Sequence, residues 1–338
     1  MRVFITGASG LVGGALAGGL LDAGHEVAAL VRDPGGGIID TDRRDRTAEA
    51  DLHIGDVSLP DFGMADIGSQ IDCLVHCAAI TDFMASEQAF EAVNIAGTRH
   101  ALALARRWQC PLLHVSTAYV CGEADGAIDE VPANIDGQFT NGYEASKARA
   151  ETLVRAAQRE GQVAAIARPG IVVGRMSDGA IGRFDGFYHM FALLGSPLLG
   201  GVPATAHAGF ALVPMDHVIV GLMAMIADMP GYDGRIAHLV AERPFAMADM
   251  LRIVADYPGT TAAHIVPPHA YDPAILDRRT AMVHRRVGNQ YFSYFSRAPH
   301  FASRTVEAIS GLKAPVIDEA AFRRMIDYCV DQGFLDWR

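Results

Sequence analysis

The sequence has few cysteines, which excludes a small fold held together by disulfides. Five cysteines are spread over 338 residues, whereas disulfide scaffolds concentrate theirs in a short chain. No further Cys or His lies at the spacing that a metal centre requires. We therefore expect buried thiols that pack as small hydrophobic side chains, and no metal site.

Long apolar runs and an excess of basic residues are also missing. No apolar stretch reaches the roughly 18 residues that a membrane-spanning helix needs. Nothing at the start of the chain resembles a signal peptide, so we expect a protein of the reducing cytoplasm. Lys and Arg number 28 against 39 Asp and Glu, and the resulting formal charge of −11 argues against a nucleic-acid partner.

The composition and the order of apolar segments predict an α/β fold. Half of the residues are hydrophobic, enough for a sizeable core. Strand-length apolar runs alternate with helical patterns up to about residue 170, which is typical of a doubly wound parallel (Rossmann) sheet with helices on both faces. Beyond that point the alternation breaks down. We predict a dinucleotide-binding domain at 1–170 and a smaller, mainly substrate-binding region at 171–338, some of whose elements return to the sheet.

A glycine motif follows the first predicted strand. Gly7, Gly10 and Gly13 open the next helix, where glycines allow a tight turn, close approach to a pyrophosphate and packing of helix on strand. The free N–H groups of such a helix end hold negative charge. We predict that a dinucleotide contacts Gly7, Ser9, Gly10, Leu11 and Val12.

The end of the second predicted strand bears on the choice between NAD and NADP. Arg32 is the first residue past that strand, and an arginine there accommodates a 2′-phosphate, so we expect NADP(H). The alternative is that Arg32 is solvated and Asp33 binds the ribose, as in NAD enzymes. Further cofactor contacts are predicted at the ends of later strands, from Asp56, Val57, Ala78 and Ala79.

Tyr143 and Lys147 are the candidate proton-transfer pair. They are four residues apart on a predicted helix and so share one face. A nearby ammonium lowers the pKa of a phenol, which could then serve as general acid for a carbonyl group. We expect Lys147 to hold the nicotinamide ribose as well. A hydroxyl from Ser116 or Thr117, at the end of another strand, is placed to polarise the carbonyl oxygen.

Several segments together resemble the extended short-chain dehydrogenases/reductases, which are similar to NAD-dependent epimerases and dehydratases. The resemblance implies that Thr117 is the catalytic hydroxyl, that Asn94 supports the lysine, and that Pro169, Ile171 and Val172 line the nicotinamide. The matching segments, in family order, are TGASGLVG at 6–13, HCAA at 76–79, VNIAGT at 93–98, HVSTAYVCG at 114–122, YEASK at 143–147 and ARPGIVVG at 167–174.

The resemblance is strongest to the thioester-reductase, fatty-acyl-reductase and keto-lipid-reductase branch. Nucleotide-sugar members carry a segment like RYFN where this chain has Arg168-Pro169-Gly170. We therefore predict NADPH-dependent reduction of a ketone, aldehyde or thioester on a lipophilic substrate, such as a keto-sphingolipid or a long-chain acyl compound. A nucleotide-sugar epimerase or dehydratase is the alternative. A non-catalytic dinucleotide sensor is a third reading, disfavoured by the complete acid–base set.

Two aromatic-rich stretches carry the remaining expectations. The candidate substrate residues are Phe83, Met84, Phe187, Tyr188 and Phe191, with ordinary core packing as the alternative. Basic and aromatic residues adjoin between 278 and 295, which favours a solvated basic face next to a core strand, the alternative being weak contact with a membrane surface. The four arginines concerned are Arg278, Arg279, Arg285 and Arg286. A homodimer is the expected oligomer, because dimers are the commonest closed assembly.

Overall fold

The first strand, turn and helix follow from local sequence. Strand β1 begins the sheet, and helix α1 ends just before Gly24, whose φ of +78° suits the left-handed residue that terminates a helix. The computed structural model describes residues 1–33, 35–64, 70–261 and 263–337, the side chains at 286–290 excepted. The strands are β1 Arg2–Thr6, β2 Glu26–Val31, β3 Asp51–Ile54, β4 Cys73–His76, β5 Leu112–Val115, β6 Ala127–Ile128, β7 Ala164–Pro169, β8 Ile171–Val173, β9 Gly201–Pro203, β10 Gly209–Phe210, β11 Leu212–Pro214, β12 Ile236–Leu239, β13 Phe245–Ala246, β14 His264–Val266 and β15 His300–Phe301.

The helices surround these strands, and one of them is preceded by a π-helical turn, Glu91–Ala96. The α-helices are α1 Leu11–Asp22, α2 Glu87–Phe90, α3 Gly97–Trp108, α4 Gly142–Arg159, α5 Phe187–Leu194, α6 Met215–Ala227, α7 Met229–Tyr232, α8 Met247–Ala255, α9 Arg278–Tyr291, α10 Arg304–Ser310 and α11 Glu319–Asp331.

Seven strands form one sheet in the order β12-β7-β5-β4-β1-β2-β3. Every neighbouring pair in it is parallel, so all the strands deliver their carboxyl ends to one edge. The predicted doubly wound α/β fold is confirmed. The division near residue 170 stays a prediction, and β12, which lies beyond it, forms one edge of the sheet.

Both faces of the sheet are buried, as the alternating side chains of β1 show. Val3 and Ile5 point into an apolar cluster with α1 and α6, while Phe4 packs on the opposite face with α3 and α4. A third cluster joins α5, α8 and α11 to Tyr119, just after β5. This cluster sets the C-terminal region beside the carboxyl edge of the sheet, where the candidate site lies.

The crossing of α1 over β1 leaves no room for a side chain at Gly13. A Cβ atom there would lie 2.2 Å from the Gly7 carbonyl oxygen, a backbone atom that cannot move aside. We expect Gly13→Ala to lower the free energy of unfolding by about 1–3 kcal/mol, as overpacking does, measured by urea denaturation. Gly35→Ala is the control, because its new Cβ would meet nothing closer than 3.6 Å. Equal stability of the two variants would contradict the close approach.

Candidate active site

A cavity of about 760 Å³ opens at the carboxyl edge of the sheet. It unites residues from the first strand to α9, and most of the residues predicted from the sequence line it. Those predicted lining residues are Gly7, Ser9, Gly10, Leu11, Val12, Arg32, Asp56, Val57, Ala78, Ala79, Phe83, Thr117, Tyr143, Lys147, Pro169, Ile171, Val172 and Phe187.

The glycine motif forms one end of this cavity and fits a pyrophosphate. Gly7 has φ +73°, and a Cβ on it would lie 2.7 Å from the Ala78 amide nitrogen. The Gly10 N–H bonds the Gly7 carbonyl at 2.9 Å, and Gly10 caps α1 without any side-chain hydrogen bond. The first-turn N–H groups of α1 therefore stay available to an anion.

Arg32 and Asp33, at the end of β2, have different surroundings. Arg32 lines the cavity, whereas Asp33 does not. The Asp33 carboxylate instead accepts the Gly35 N–H at 3.0 Å, in a turn of its own loop. At the end of β2 the cavity is thus lined by a cation rather than by the Asp33 carboxylate.

Tyr143 occupies the first turn of α4 and meets the Thr117 hydroxyl. Asn141 caps this helix by accepting the Glu144 N–H at 2.9 Å, which fixes the turn that carries the phenol. Thr117, two residues past β5, is hydrogen-bonded to that phenol. Burial, and then the Glu144 charge, raise the pKa of Tyr143 to about 12 against this bond. The phenol therefore holds its proton at neutral pH.

Lys147 follows Tyr143 by one turn of α4 and is buried. Its Nζ donates to the Val115 carbonyl at 2.8 Å and lies 3.3 Å from His114 Nε2. Burial lowers the pKa of Lys147 to about 8, although the nearby Glu151 charge raises it. We expected the ammonium to lower the pKa of Tyr143. The structure corrects this: the pKa is raised, because burial and Glu144 dominate and the ammonium is held at the end of β5.

A buried ion pair, Glu151 with Arg168, lies near Lys147, and its carboxylate favours the charged form of the lysine. Glu151 accepts two hydrogen bonds from the Arg168 guanidinium, at 2.8 and 2.6 Å, and neither side chain is more than 3% exposed. Sequence analysis missed this pair. Its one signal was spacing, since Glu151 follows Lys147 by four residues and shares its helix face.

Asn94 supports the site without lining the cavity. It lies in the π-helical turn, a feature frequent at functional sites. Its Oδ1 accepts the Ile80 N–H at 2.7 Å, and its Nδ2 donates to Ser146 Oγ at 2.8 Å. Asn94 thereby ties the loop after β4 to α4, next to Lys147 rather than in contact with it.

Three of the five candidate substrate residues lie elsewhere. Phe83 and Phe187 line the cavity, but Met84, next to Phe83, is 62% exposed. Tyr188 is buried, and its hydroxyl accepts the Gly174 N–H at 2.6 Å. Phe191 packs in the core with α8 and α11. None of these three residues lines the cavity: Met84 lies in an exposed turn, and the apolar residues of the short helix α5 divide between core and cavity by helix face.

Aromatic residues from distant parts of the chain line the same cavity. We call the part of the cavity lined by Phe83, Phe187, Met190, Phe210, Tyr291 and Tyr294 its outer, aromatic chamber. Tyr291 and Tyr294 belong to the basic and aromatic stretch at 278–295, which the sequence left between a basic face beside a core strand and a membrane contact. Both line the cavity, and the neighbouring Phe295 is fully buried, so the aromatic half of that stretch belongs to the interior. The basic half is exposed on α9 at Arg278, Arg279 and Arg285, while the side chain of Arg286 lies outside the described residues. The further lining residues missed from the sequence are Tyr119, Met190 and Phe210.

The part of the chain that the structure describes contains neither a metal centre nor a membrane-spanning helix. Within it, no three His, Cys, Asp or Glu side chains converge in a way that could hold a metal ion. Within the same residues, no helix has both the length and the apolar character needed to cross a bilayer.

Comparison with known families agrees with this geometry. Residues 5–222 match the model of the male sterility protein family. The chain belongs to this family, within the extended short-chain dehydrogenases/reductases. That assignment confirms the resemblance found in the sequence and makes the glycine cradle part of a nicotinamide-dinucleotide-binding domain of reductase type.

The individual relatives have low sequence identity to this chain. It is 34% identical to a 4-hydroxy-2-methyl-3-oxo-4-farnesyl-3,4-dihydroquinoline-1-oxide ketoreductase of Stigmatella aurantiaca, over 52% of this chain and 51% of that protein. It is 25% identical to a non-canonical nonribosomal peptide synthetase of Aspergillus hancockii, over 98% of this chain and 36% of that protein. The chain thus spans about half or less of the length of these relatives.

Solved structures confirm the fold. The terminal R domain of the myxalamid PKS-NRPS biosynthetic pathway superposes with a TM-score of 0.83 at 24% identity, covering 99% of this chain and 92% of that one. A UDP-galactose 4-epimerase superposes with a TM-score of 0.68 at 18% identity, covering 98% and 99%.

The Glu151–Arg168 pair gives a test of the buried charges in this site. Glu151→Ala leaves the Arg168 guanidinium buried without its carboxylate, and we expect a loss of about 3–5 kcal/mol in the free energy of unfolding. Glu160→Ala, at the end of the same helix, removes an exposed pair with Arg106 and should cost less than about 1 kcal/mol. Urea denaturation of both variants measures the difference, and similar losses would show that the buried pair is not structurally important.

Proposed function

We propose that this protein is an NADPH-dependent reductase of a carbonyl group on a lipophilic substrate, a ketone, aldehyde or thioester. The observation that carries the proposal is the position of the acid–base set. Thr117, Tyr143 and Lys147 line the same cavity as the glycine cradle and the side chains of the aromatic chamber. A carbonyl group in that chamber would lie between the proton donor and the dinucleotide.

The side chains support one sequence of events. A bound NADPH would supply a hydride to the carbonyl carbon. Thr117 would donate a hydrogen bond to the carbonyl oxygen, polarising it. Tyr143, protonated at neutral pH, would transfer its proton to that oxygen as negative charge develops there. Lys147, which also lines the cavity, would hold the nicotinamide ribose.

The end of β2 supports NADPH over NADH. The Arg32 guanidinium faces the cavity, and a guanidinium recognises a phosphate group with charge-assisted hydrogen bonds. The Asp33 carboxylate, which would bind the free ribose hydroxyl of NAD, is engaged by Gly35. Ser9 also lines this end of the cavity and offers a second donor.

The walls of the outer chamber support a lipophilic substrate. Phe187, Met190 and Phe210 line it, and apolar walls of this kind hold apolar ligands. The ketoreductase relative of Stigmatella aurantiaca is named for a farnesyl-bearing compound. A nucleotide sugar would bring a second diphosphate. Among the described lining residues the one arginine besides Arg32 is Arg183, whose Nε lies 3.8 Å from Asp185 Oδ2. The sensor reading is weaker still, because the acid–base set is complete.

The phenol of Tyr143 gives the decisive test of the chemistry. Tyr143→Phe removes the proton donor, and we expect kcat to fall at least about 100-fold while the Kd for NADPH changes less than about twofold. NADPH oxidation should be followed with long-chain ketones, aldehydes, acyl thioesters and a nucleotide sugar. Tyr257→Phe, whose hydroxyl bonds Asp327 away from the cavity, is the matched control. Turnover with the nucleotide sugar alone, or unchanged turnover in Tyr143→Phe, would overturn the proposal.

Arg32 gives a separate test of cofactor choice. We expect Arg32→Gln to raise the Kd for NADPH roughly tenfold or more, the contribution of a charge-assisted hydrogen bond, and to leave the Kd for NADH nearly unchanged. Dinucleotide fluorescence measures both constants. Arg99→Gln on α3 is the control, since Arg99 is exposed and outside the cavity. If the unaltered protein binds NADH as tightly as NADPH, the assignment of Arg32 is wrong.

A further inference from the structure

A buried carboxylate next to the catalytic tyrosine takes no part in the steps above. Glu144 is fully buried, and its Oε1 accepts a hydrogen bond from the Tyr294 hydroxyl at 2.5 Å. Its Oε2 accepts the Thr140 N–H at 3.2 Å. Asn141, the N-cap of α4, donates to the same Tyr294 hydroxyl at 2.8 Å. Tyr294 is 150 residues further along the chain, so these bonds fix a distant segment on the first turn of α4.

Arg297 brings a third segment into the same cluster. Its side chain is 4% exposed, and its Nη2 lies 3.7 Å from Glu144 Oε1. Its Nη1 donates to the Gly122 carbonyl and, at 3.3 Å, to the Ala124 carbonyl. Its Cζ lies 5.2 Å from the centre of the Tyr294 ring, within the range of a cation–π contact. The guanidinium is therefore surrounded by groups that attract a cation.

The carbonyls held by Arg297 belong to the segment that carries the catalytic threonine. Thr117 is the N-cap of the short helical turn Ala118–Cys121, and that turn ends at Gly122. Gly122 has φ +61°, and a Cβ on it would lie 2.2 Å from the Gln138 carbonyl oxygen. Gly122 is thus a fixed end of the turn, and Arg297 is hydrogen-bonded to the carbonyl group of that residue. Thr117 at the other end of the turn contacts the phenol of Tyr143.

We propose that Glu144 and Arg297 are a positioning pair that aligns the Thr117 turn, the first turn of α4 and the chamber wall at Tyr294. The proposal rests on the function proposed above and deepens it. The pair couples the placement of the proton donor to the correct packing of the C-terminal region, because Tyr294 contacts Glu144 while its ring lies 6.1 Å from that of Phe83 in the cavity wall. Neither Glu144 nor Arg297 is assigned contact with the reacting atoms.

Electrostatics add a second effect to this alignment. After burial, the Glu144 charge is the next cause that raises the pKa of Tyr143. A carboxylate beside the phenol keeps the phenol protonated and so suits it to donate a proton. The titratable and charged groups that face Glu144 are Tyr119, Cys121, Tyr143, Tyr294 and Arg297.

Two conservative variants test the alignment through kinetics. Glu144→Gln removes the charge and keeps the shape, and Tyr294→Phe removes one hydroxyl and keeps the ring. We expect each to lower kcat about tenfold with an unchanged KM for NADPH. The double variant should resemble either single one, because Glu144→Gln weakens and Tyr294→Phe removes the same hydrogen bond. Glu123→Gln, an exposed glutamate, is the matched control. Unchanged kcat, or losses that multiply in the double variant, would overturn the shared role.

The pH profile distinguishes positioning from a general loss of structure. Oxidation of the alcohol product by NADP⁺ needs the phenolate, so its rate rises with pH through the pKa of Tyr143. Removal of the neighbouring charge in Glu144→Gln should move this rise about one unit towards lower pH. In Glu123→Gln the rise should stay in place. A profile that does not move in Glu144→Gln contradicts the electrostatic part of the proposal.

Hydrogen–deuterium exchange tests the alignment without any substrate. Glu144→Gln should speed amide exchange both in the turn at 118–124 and in the first turn of α4, whereas Glu123→Gln should not. Exchange unchanged in either segment would refute the coupling. If no carbonyl compound is reduced by the unaltered protein but both segments respond, the proposed reductase function fails and the positioning pair stands.

Discussion

The buried ammonium of Lys147 is the constraint on which the rest of the site depends. Removing a cation from water costs several kcal/mol unless nearby groups compensate. Here the Val115 carbonyl accepts one of its hydrogen bonds. His114 lies beside it with a pKa well below the ordinary value, because of burial and of Lys147 itself. The imidazole is therefore neutral, and its Nε2 can accept a hydrogen bond from Lys147 Nζ. The carboxylate of Glu151 lies one helical turn away.

These compensating groups come from three different elements. Val115 and His114 end β5, Glu151 lies on α4, and Arg168, which pairs with Glu151, lies on β7. The parallel register of β5 with β7, in which Val115 faces Ala167, brings the three together at one edge of the sheet. The buried ammonium therefore depends on the topology of the sheet. A shift of β5, α4 or β7 would leave an ion buried without a partner.

The sequence sufficed for features whose residues are close along the chain. The strand, glycine turn and helix at 2–22 could be predicted because each step is local: strand, tight turn, helix start. The pairing of Tyr143 with Lys147 follows from helical periodicity, and the place of Thr117 follows from its position at a strand end. Parallel strands collect such ends at one edge, so a large part of the cavity lining could be predicted without coordinates.

Contacts that depend on tertiary packing could not be predicted in this way. Met84, Tyr188 and Phe191 are apolar, and apolar character does not distinguish a cavity wall from a core or an exposed turn. Tyr294 reaches α4 only because the C-terminal region folds back over the sheet edge. The pKa of Tyr143 also depends on packing. The spacing of Tyr143 and Lys147 placed a lysine on the same helix face, but it did not show that burial and the Glu144 charge raise the pKa of the phenol.

Burial among apolar side chains links the lining of the cavity to the protonation of Tyr143. The apolar walls that would hold a lipophilic group also withdraw water from the phenol of Tyr143, and this burial is the largest cause of its raised pKa. A phenol with a raised pKa gives up its proton only when a stronger base forms, and the oxygen of a carbonyl accepting a hydride becomes such a base. An open, hydrated site would lose both properties together. In the proposed reduction, the aromatic chamber would hold the lipophilic substrate and keep Tyr143 protonated until negative charge forms on the carbonyl oxygen.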